Sequence, residues 1–436
     1  MNETLFAPDF KAAPYWWEAV PRPTDADGVA PTEVPKDADV VVVGSGYTGL
    51  HAALATARAG LATLVLEADA LGAGCSSRNG GQVSTSVKGS YGALSARYGS
   101  DKALRLLGEG VAALDFLERF IDQEDIDCAW GRVGRFSGAH NTRAYDAMAR
   151  ELAELPDSLG IDWHMVPRAD QHSEIGSDLY AGGAVFGGHA ALHPARYHAG
   201  LLARTRAAGA QLLDYCPAIS ISRTSAGFLV ETPRGKVRAA HVAIATNGYT
   251  GRVSSWLRRR IIPIGSYIIA TEPLEAELAQ ALSPHNRVMS DTRKLVFYYR
   301  LCPERRRMVF GGRVALSETD PRVSAPRLHR AMCKIFPQLH AARITHSWLG
   351  FVGCTFDTLP HVGERDGVHY AMGYCGSGIS LASYCGALMG RRIAGDRSAQ
   401  TVFAELEFKT RPLYAGKPWF LEPAVAYYKA RDRLNV

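Results

Sequence analysis

The chain has 436 residues, 47% hydrophobic and 21% charged, ordinary globular usage that excludes a disordered, fibrous or collagen-like protein. Its 49 Lys+Arg against 43 Asp+Glu leave a net charge of +6, with basic runs no longer than Arg258-Arg259-Arg260 and Arg305-Arg306-Arg307; runs this short mark a solvated face, so nucleic acid is not an expected partner. The length accommodates two or three domains, or one α/β body with a second domain intercalated. Eight cysteines include no C-x-x-C pair, so neither a zinc site nor a disulfide scaffold is indicated, and reduced thiols in a cytoplasm are the plain reading. No apolar run reaches the roughly 18 residues that span a bilayer, and Met1-Asn2-Glu3-Thr4 lacks signal-peptide character, so a soluble cytoplasmic protein is expected.

Residues 1–36 are rich in proline but carry Tyr15-Trp16-Trp17, aromatics that a free tail has little reason to hold; they predict an arm lying on the body. Asp37 opens a new character. Ala38-Asp39-Val40-Val41-Val42-Val43 reads as a buried parallel strand, a glycine turn follows, and Leu50, Leu54 and Ala57 recur at helical spacing before Gly60. With Leu61 to Leu66 as a second apolar strand, this is a βαβ unit. Residues 96–160 read as mainly helical, with Tyr145, Met148, Leu152, Leu155 and Leu159 stepping by three and four. His193-Pro194 opens a helix that runs to about Ala208, before Gly209. Residues 228–232 and 237–242 alternate as strands of a meander that ends in the buried run Ala243-Ile244-Ala245-Thr246. Strand-like pieces at 267–270, 295–299 and 307–312, with a helix near 326–336, predict a mostly antiparallel sheet. Val368 to Met372 then leads into Gly373-Tyr374-Cys375-Gly376-Ser377-Gly378 and a small-residue helix to about Ala394.

Gly44-Ser45-Gly46-Tyr47-Thr48-Gly49 is G-x-G-x-x-G between strand and helix, and Glu67 closes the next strand 18 residues after Gly49. Gly44 permits the tight turn, Gly46 admits a pyrophosphate to the helix N-terminus, Gly49 allows close packing, and Glu67 can accept ribose hydroxyls. An acid at that position disfavours a 2′-phosphate, which leaves FAD or NAD. Two segments outside this unit bear on the choice. Gly72 to Gln82 carries many backbone donors, two hydroxyls and Arg78, suited to phosphate and flavin oxygens, or it is a surface loop. The turn at 373–378 opens a helix whose dipole suits the charge of a reduced flavin, or it is a crowded packing contact.

The residues at 44–49, Glu67, Ser77 to Gln82, Ala245-Thr246-Asn247-Gly248, Ala270 to Leu274, Tyr298 to Leu301, Phe310-Gly311-Gly312-Arg313 and 373–378 together resemble the D-amino-acid-oxidase-like family of FAD-dependent oxidoreductases, and within it the γ-glutamylputrescine oxidase group. The resemblance covers nearly the whole chain. It implies an α/β fold with a Rossmann-type FAD-binding domain built from discontinuous pieces (37–95, 186–255 and 350–400). An antiparallel-sheet substrate domain (96–185 and 256–349) covers the flavin, with an N-terminal arm (1–36) and a C-terminal extension (401–436). It implies FAD contacts from Gly44, Ser45, Gly46, Tyr47, Thr48, Gly49, Glu67, Ala68, Gly74, Ser76, Ser77, Arg78, Asn79, Gly80, Gly81, Gln82, Ala218, Thr246, Asn247, Gly248, Gly376, Ser377, Gly378 and Ile379. One departure stands out: the group often reads Cys-Ser-Gly-His-Gly where this chain has Cys375-Gly376-Ser377-Gly378, a hydroxyl in place of an imidazole.

The substrate side is drawn from Tyr298, Arg300, Arg313, Trp348 and Ser377, with Tyr299, Phe351 and Asp357 nearby. Strand alternation puts Tyr298 and Arg300 on one face and Tyr299 on the other. Either arginine could clamp a substrate carboxylate or simply be solvated, and the aromatics could be core. No metal is expected: His189 and His193 are four apart, but Gly187-Gly188 and Pro194 keep them off one helix face. Gly376-Ser377-Gly378 lacks the spacing of a hydrolase elbow. Cys354 or Cys375 could tether a flavin, although a buried free thiol is the commoner state. The expected activity is oxidation of a primary or secondary amine, a γ-glutamylated polyamine or alkylamine, with oxygen as acceptor, giving aldehyde, ammonia (or amine) and hydrogen peroxide. The alternatives are a D-amino-acid or sarcosine-type oxidase or dehydrogenase on the same fold, and a non-catalytic flavin-binding subunit.

Overall fold

A computed structural model describes residues 5–20, 33–314 and 318–434. The parts of the expected arm at 1–4 and 21–32, and the last two residues of the extension, lie outside them. The valine-rich strand Asp37–Val43 is central to one sheet, with parallel neighbours Thr63–Leu66 on one side and Gly235–Ile244 on the other. Gln211–Leu213 and Val368–Met372 extend the parallel part outward. The meander Ser220–Thr224, Gly227–Thr232 and Gly235–Ile244 pairs antiparallel, as the alternating runs predict. Helices Tyr47–Arg58 and Gly378–Ile393 pack on one face of this sheet in the largest core, which also takes Ala103 to Ile121. The helix Ser100–Gln123, expected with the substrate sheet, is therefore packed on the Rossmann side.

The second sheet has nine strands in the order Phe6–Lys11, Ile344–Cys354, Ile262–Thr271, Met308–Gly312, Tyr298–Leu301, Val288–Asp291, Arg135–Gly138, Gly182–Phe186 and Trp163–Pro167. Six of its eight pairings are antiparallel. One face forms a core with the helix Pro321–Ile335, through Phe136, Met289, Tyr299 and Phe310 in register across four strands. The other face looks toward the Rossmann sheet.

Two local expectations shift. The helix near 145 spans Thr142–Ala153 and stops before Pro156, whose ring and missing N–H terminate it, so Leu155 and Leu159 lie beyond it. The strand expected at 295–299 is Tyr298–Leu301, because the buried Asp291 carboxylate accepts the amides of Arg293 and Phe297 and folds the preceding residues into a turn. The arm does lie on the body where it is described: Phe6–Lys11 adds a strand beside Ile344–Cys354, and Trp16 is fully buried.

Candidate functional site

Four parallel strands end side by side, at Val43, Leu66, Ile244 and Met372, and the chain turns at each of these ends. This carboxyl edge is where open α/β sheets bind ligands. After Val43, Gly44 has φ +107, a conformation that L side chains avoid, and a Cβ on it would meet the Ala245 carbonyl at 3.0 Å. A Cβ on Gly49 would collide with the Gly44 carbonyl, so helix and strand approach this closely only because both positions are glycine.

The two site helices pack through glycine as well. Gly386 lies on the Thr48 backbone and Gly390 on Ala52, so the helices run parallel and both N-termini point to the carboxyl edge. From that pairing, the helix at 378–393 begins seven residues earlier, roughly 10 Å further out at about 1.5 Å per residue. Neither N-terminus has a side-chain cap from its own N-cap residue. Two positive dipole ends thus flank one elongated space. The Ser76 hydroxyl stands over the inner one, accepting the Tyr47 amide at 3.0 Å and lying 3.0 Å from where a Gly46 Cβ would be.

Glu67 faces this space from the neighbouring strand. Its Oε2 accepts the Ser45 amide at 2.9 Å and the Ser45 hydroxyl at 2.7 Å, and its Oε1 accepts the amides of Ala68 at 2.8 Å and Asp69 at 3.3 Å. A carboxylate has about four acceptor positions, and these four bonds take them up, the Asp69 contact being the longest. Ala218 lies just beyond Cys216, whose amide donates to the Glu67 carbonyl. Asn247, at φ +39, accepts the Gly373 amide with its Oδ1 and so ties the third strand end to the fourth. Together, an elongated cradle with an uncapped outer helix end, an inner helix end met only by a serine hydroxyl, and the Glu67 carboxylate beside it fits a dinucleotide such as FAD.

The loop at 72–82 is held by three indoles. Trp16 donates to the Asn79 carbonyl at 2.8 Å, Trp17 to the Ser77 hydroxyl at 2.9 Å and Trp348 to the Arg78 carbonyl at 2.7 Å. The arm contacts were invisible in sequence beyond the anomaly of two tryptophans in a proline-rich segment. Arg78 stacks over Trp17 and donates to the carbonyls of Ala73 and Leu349. Gln82 donates to the carbonyls of Met289 and Tyr299, binding the loop to the nine-stranded sheet.

One strand, Ile344–Cys354, runs the length of the site and meets each of the other segments. Trp348 and Leu349 reach Arg78, Gly350 abuts Cys75, Phe351 O accepts the Cys75 thiol at 2.8 Å, Gly353 touches Asn247 and Gly248, and Gly353 O accepts the Cys375 amide at 3.1 Å. Burial first, then nearby Tyr249 and Arg78, act on the Cys75 thiol, with the net result pushed up to about 11, so it stays protonated.

The expected substrate residues divide. Tyr298 is on the face toward the Rossmann sheet, its ring against Gly80 and Gly311 and its hydroxyl 2.8 Å from Ser266 Oγ. Tyr299 is on the opposite face, bonded to Tyr180, as alternation predicts. Arg300 shares the Tyr298 face but is buried and committed: Nη1 donates to the carbonyls of Gly81 at 2.9 Å and Leu192 at 3.0 Å, and Nε to Leu301 O. Arg313 is likewise buried, donating to Gly265 O and paired with Glu318 at 3.0 Å. Neither arginine offers the clamp considered from sequence. Trp348 holds the loop, and Ser377 is the N-cap residue of its helix, half-buried and without a capping bond. His189 stacks on Phe186 with Nε2 at Thr85, whereas His193 caps its own helix by accepting the Arg196 amide. Among the described residues no group of three or more His, Cys, Asp or Glu could hold a metal ion.

Residues 39–392 match the family model described as FAD dependent oxidoreductase, DAO. The chain belongs to this family. Gamma-glutamylputrescine oxidoreductase of Escherichia coli (strain K12) is 33% identical, over 91% of this chain and 93% of its own length. A probable oxidoreductase OrdL of Rhizobium meliloti (strain 1021) is 30% identical, over 96% and 97%. Among solved structures, a glycine oxidase from Geobacillus kaustophilus aligns with a TM-score of 0.71 at 18% identity, covering 87% of this chain and 99% of its own. An L-proline dehydrogenase from P. horikoshii aligns at 0.69 and 15% identity, over 90% and 99%. This DAO-family protein is an FAD-dependent oxidoreductase. No helix among its described residues is long and apolar enough to cross a membrane.

Proposed function

We propose that this oxidoreductase oxidises a primary or secondary amine, specifically the free amine of a γ-glutamylated polyamine or alkylamine, and passes the electrons to oxygen; hydrolysis of the imine then gives aldehyde and ammonia (or, from a secondary amine, the smaller amine), with hydrogen peroxide from oxygen. The observation that carries this reading is the convergence of the outer glycine turn, Asn247-Gly248 and the 72–82 loop on the single strand Ile344–Cys354, with Tyr298 facing the loop. The relative acting on γ-glutamylputrescine supports the substrate class.

FAD, when bound, supplies the two-electron acceptor for the carbon next to the amine nitrogen. The residues from Gly44 to Gly49, Glu67, Ala68, Gly74, Ser76 to Gln82, Ala218, Thr246 to Gly248 and Gly376 to Ile379 would hold it. Strand Tyr298–Leu301 and strand Ile344–Cys354 would close the substrate space over it. Burial drives the Tyr298 phenol well above the ordinary tyrosine range, so at neutral pH it is a neutral hydrogen-bonding group and not a base. No base is required if the walls exclude water, because desolvation lowers an amine pKa and selects the neutral form that reacts. The eight free cysteines suit a reducing compartment, and we place the reaction in the cytoplasm.

The test is oxygen uptake and peroxide release by the purified holoenzyme across γ-glutamylputrescine, putrescine, sarcosine, glycine and D-amino acids. Preferential turnover of the glutamylated amine with stoichiometric peroxide supports the reading. Preference for sarcosine, glycine or a D-amino acid would overturn the substrate, and reduction without peroxide would overturn the acceptor.

A further inference from the structure

Arg135 and Lys88 are not part of any motif, yet they share one end of the substrate space. On the strand Arg135–Gly138, Phe136 enters the second core in register with Met289 and Tyr299. Alternation therefore turns Arg135 and Ser137 to the opposite face, the one that carries Ser290 and Tyr298. The Arg135 guanidinium reaches Ser290 Oγ at a long 3.4 Å, and its buried Nε has no hydrogen-bond partner. No carboxylate acts on it: burial alone lowers it to about 10.

Lys88 follows the strand Gln82–Val83 and has no hydrogen bond or ion pair among the described residues. Its side chain is open to water, yet burial, then Arg135, holds its ammonium below the ordinary lysine range, opposed by the nearby thiols of Cys375 and Cys354. A side chain that is accessible and yet so strongly desolvated is ringed by protein on most sides. Cys375 belongs to the outer glycine turn and Cys354 to the strand along the site, so Lys88 stands near that turn, that strand and Arg135.

An unpaired guanidinium beside an unpaired ammonium is costly to keep away from bulk water. A carboxylate relieves that cost with charge-assisted hydrogen bonds from both. We propose that Lys88 and Arg135 form a subsite for the carboxylate of the substrate, gripping the end remote from the reacting amine. The inference rests on the amine-oxidase reading and deepens it. The substrate class becomes amines whose other end bears a carboxylate, and a free diamine is disfavoured because it would bring a second cation to two existing ones. The subsite takes the role that the backbone-bonded Arg300 and the Glu318-paired Arg313 do not fill.

The experiment compares γ-glutamylputrescine with N-acetylputrescine, which keeps the amine and the amide but lacks the carboxylate, in the holoenzyme and in its Lys88→Met and Arg135→Lys variants. The ratio of kcat/KM for the two amines should fall about 10- to 100-fold in Lys88→Met and less in Arg135→Lys, chiefly through KM. In parallel, N-acetylglutamine, a carboxylate with no amine to oxidise, is titrated into each holoenzyme and followed by the flavin absorbance; its Kd should rise by a similar factor. An unaltered ratio with an unaltered Kd overturns the subsite, as does loss of FAD content or of oxygen reactivity in Lys88→Met with the ratio preserved, since Lys88 then serves the cofactor or oxygen. If wild-type enzyme oxidises neither amine, the amine reading fails, and the N-acetylglutamine titration still decides the subsite by itself.

Discussion

Ser45 donates twice to one oxygen of Glu67, from its amide at 2.9 Å and from its hydroxyl at 2.7 Å. The glycine turn after one strand is thereby fastened to the end of the next, and the Gly72 amide is drawn in through the same Ser45 hydroxyl at 3.0 Å. Glu67 is thus an anchor of the cradle itself.

Glu67→Ala should therefore weaken FAD binding by about 1.5–3 kcal/mol or more, the range for hydrogen bonds to a charged group. The check is fluorescence titration of apoprotein with FAD. Affinity equal to wild type would remove Glu67 from the cofactor site.

Gly386→Ala would place a methyl group onto the Thr48 carbonyl. Overpacking of this kind costs about 1–3 kcal/mol. Because it pushes apart the two helices whose N-termini flank the site, FAD affinity should fall together with the denaturation midpoint, as calorimetry of apo and holo protein would show. A drop in stability with FAD affinity intact would mean that the helices need not be in register to bind it.

Trp17→Phe removes the donor to Ser77 while keeping an aromatic surface under Arg78. The loss is one hydrogen bond, about 0.5–1.5 kcal/mol. Hydrogen exchange should speed up at residues 72–81, with the Rossmann strands unaffected; protection unchanged in that loop would contradict its clamping by the arm.

How far the sequence carries depends on whether the information is local. The βαβ unit was legible because a valine run, a glycine turn and a helical repeat lie within thirty-odd residues and each follows from near-neighbour physics. The face assignment of Tyr298, Tyr299 and Arg300 was legible for the same reason. The partners of Arg300 were not, because the Gly81 and Leu192 carbonyls are brought to it from 219 and 108 residues away. Strand order in the large sheet is likewise non-local: Arg135–Gly138 and Gly182–Phe186 are short and unpatterned, and only their pairing makes them strands. Lys88 carried no local signal, since an isolated lysine after a glycine-rich loop reads as solvated.

The bonding of Arg300 leads to an expectation opposite to that for Lys88. Arg300→Ala would leave the buried Leu192 carbonyl without its donor, costing about 1–3 kcal/mol, while the Gly81 carbonyl keeps the Leu192 amide. Thermal stability should fall, and kcat/KM for carboxylate-bearing and carboxylate-free amines should fall by the same factor. A selective loss with the carboxylate-bearing amine would return Arg300 to the substrate.

Asp357 gives a pH dependence. Burial raises its pKa, but the His361 ring, with Nε2 3.1 Å from both oxygens, together with Thr355 and the Leu359 amide outweighs burial and holds the carboxyl below its ordinary value. A carboxyl depressed on folding stabilises the protein above its unfolded pKa, near 4, and that contribution disappears as pH falls through the lower folded value. Urea midpoints should therefore drop more steeply between about pH 5 and pH 3 in wild type than in Asp357→Asn. Parallel profiles would show that the pair contributes nothing to acid stability.

The most direct measurement for the whole account is anaerobic stopped-flow reduction of the purified holoenzyme by γ-glutamylputrescine and by free putrescine at matched concentrations. The expected result is a yellow protein releasing FAD on denaturation, with rapid bleaching by the glutamylated amine and markedly slower bleaching by the diamine. A flavin that stays oxidised with the glutamylated amine, or that bleaches equally with both, would contradict it.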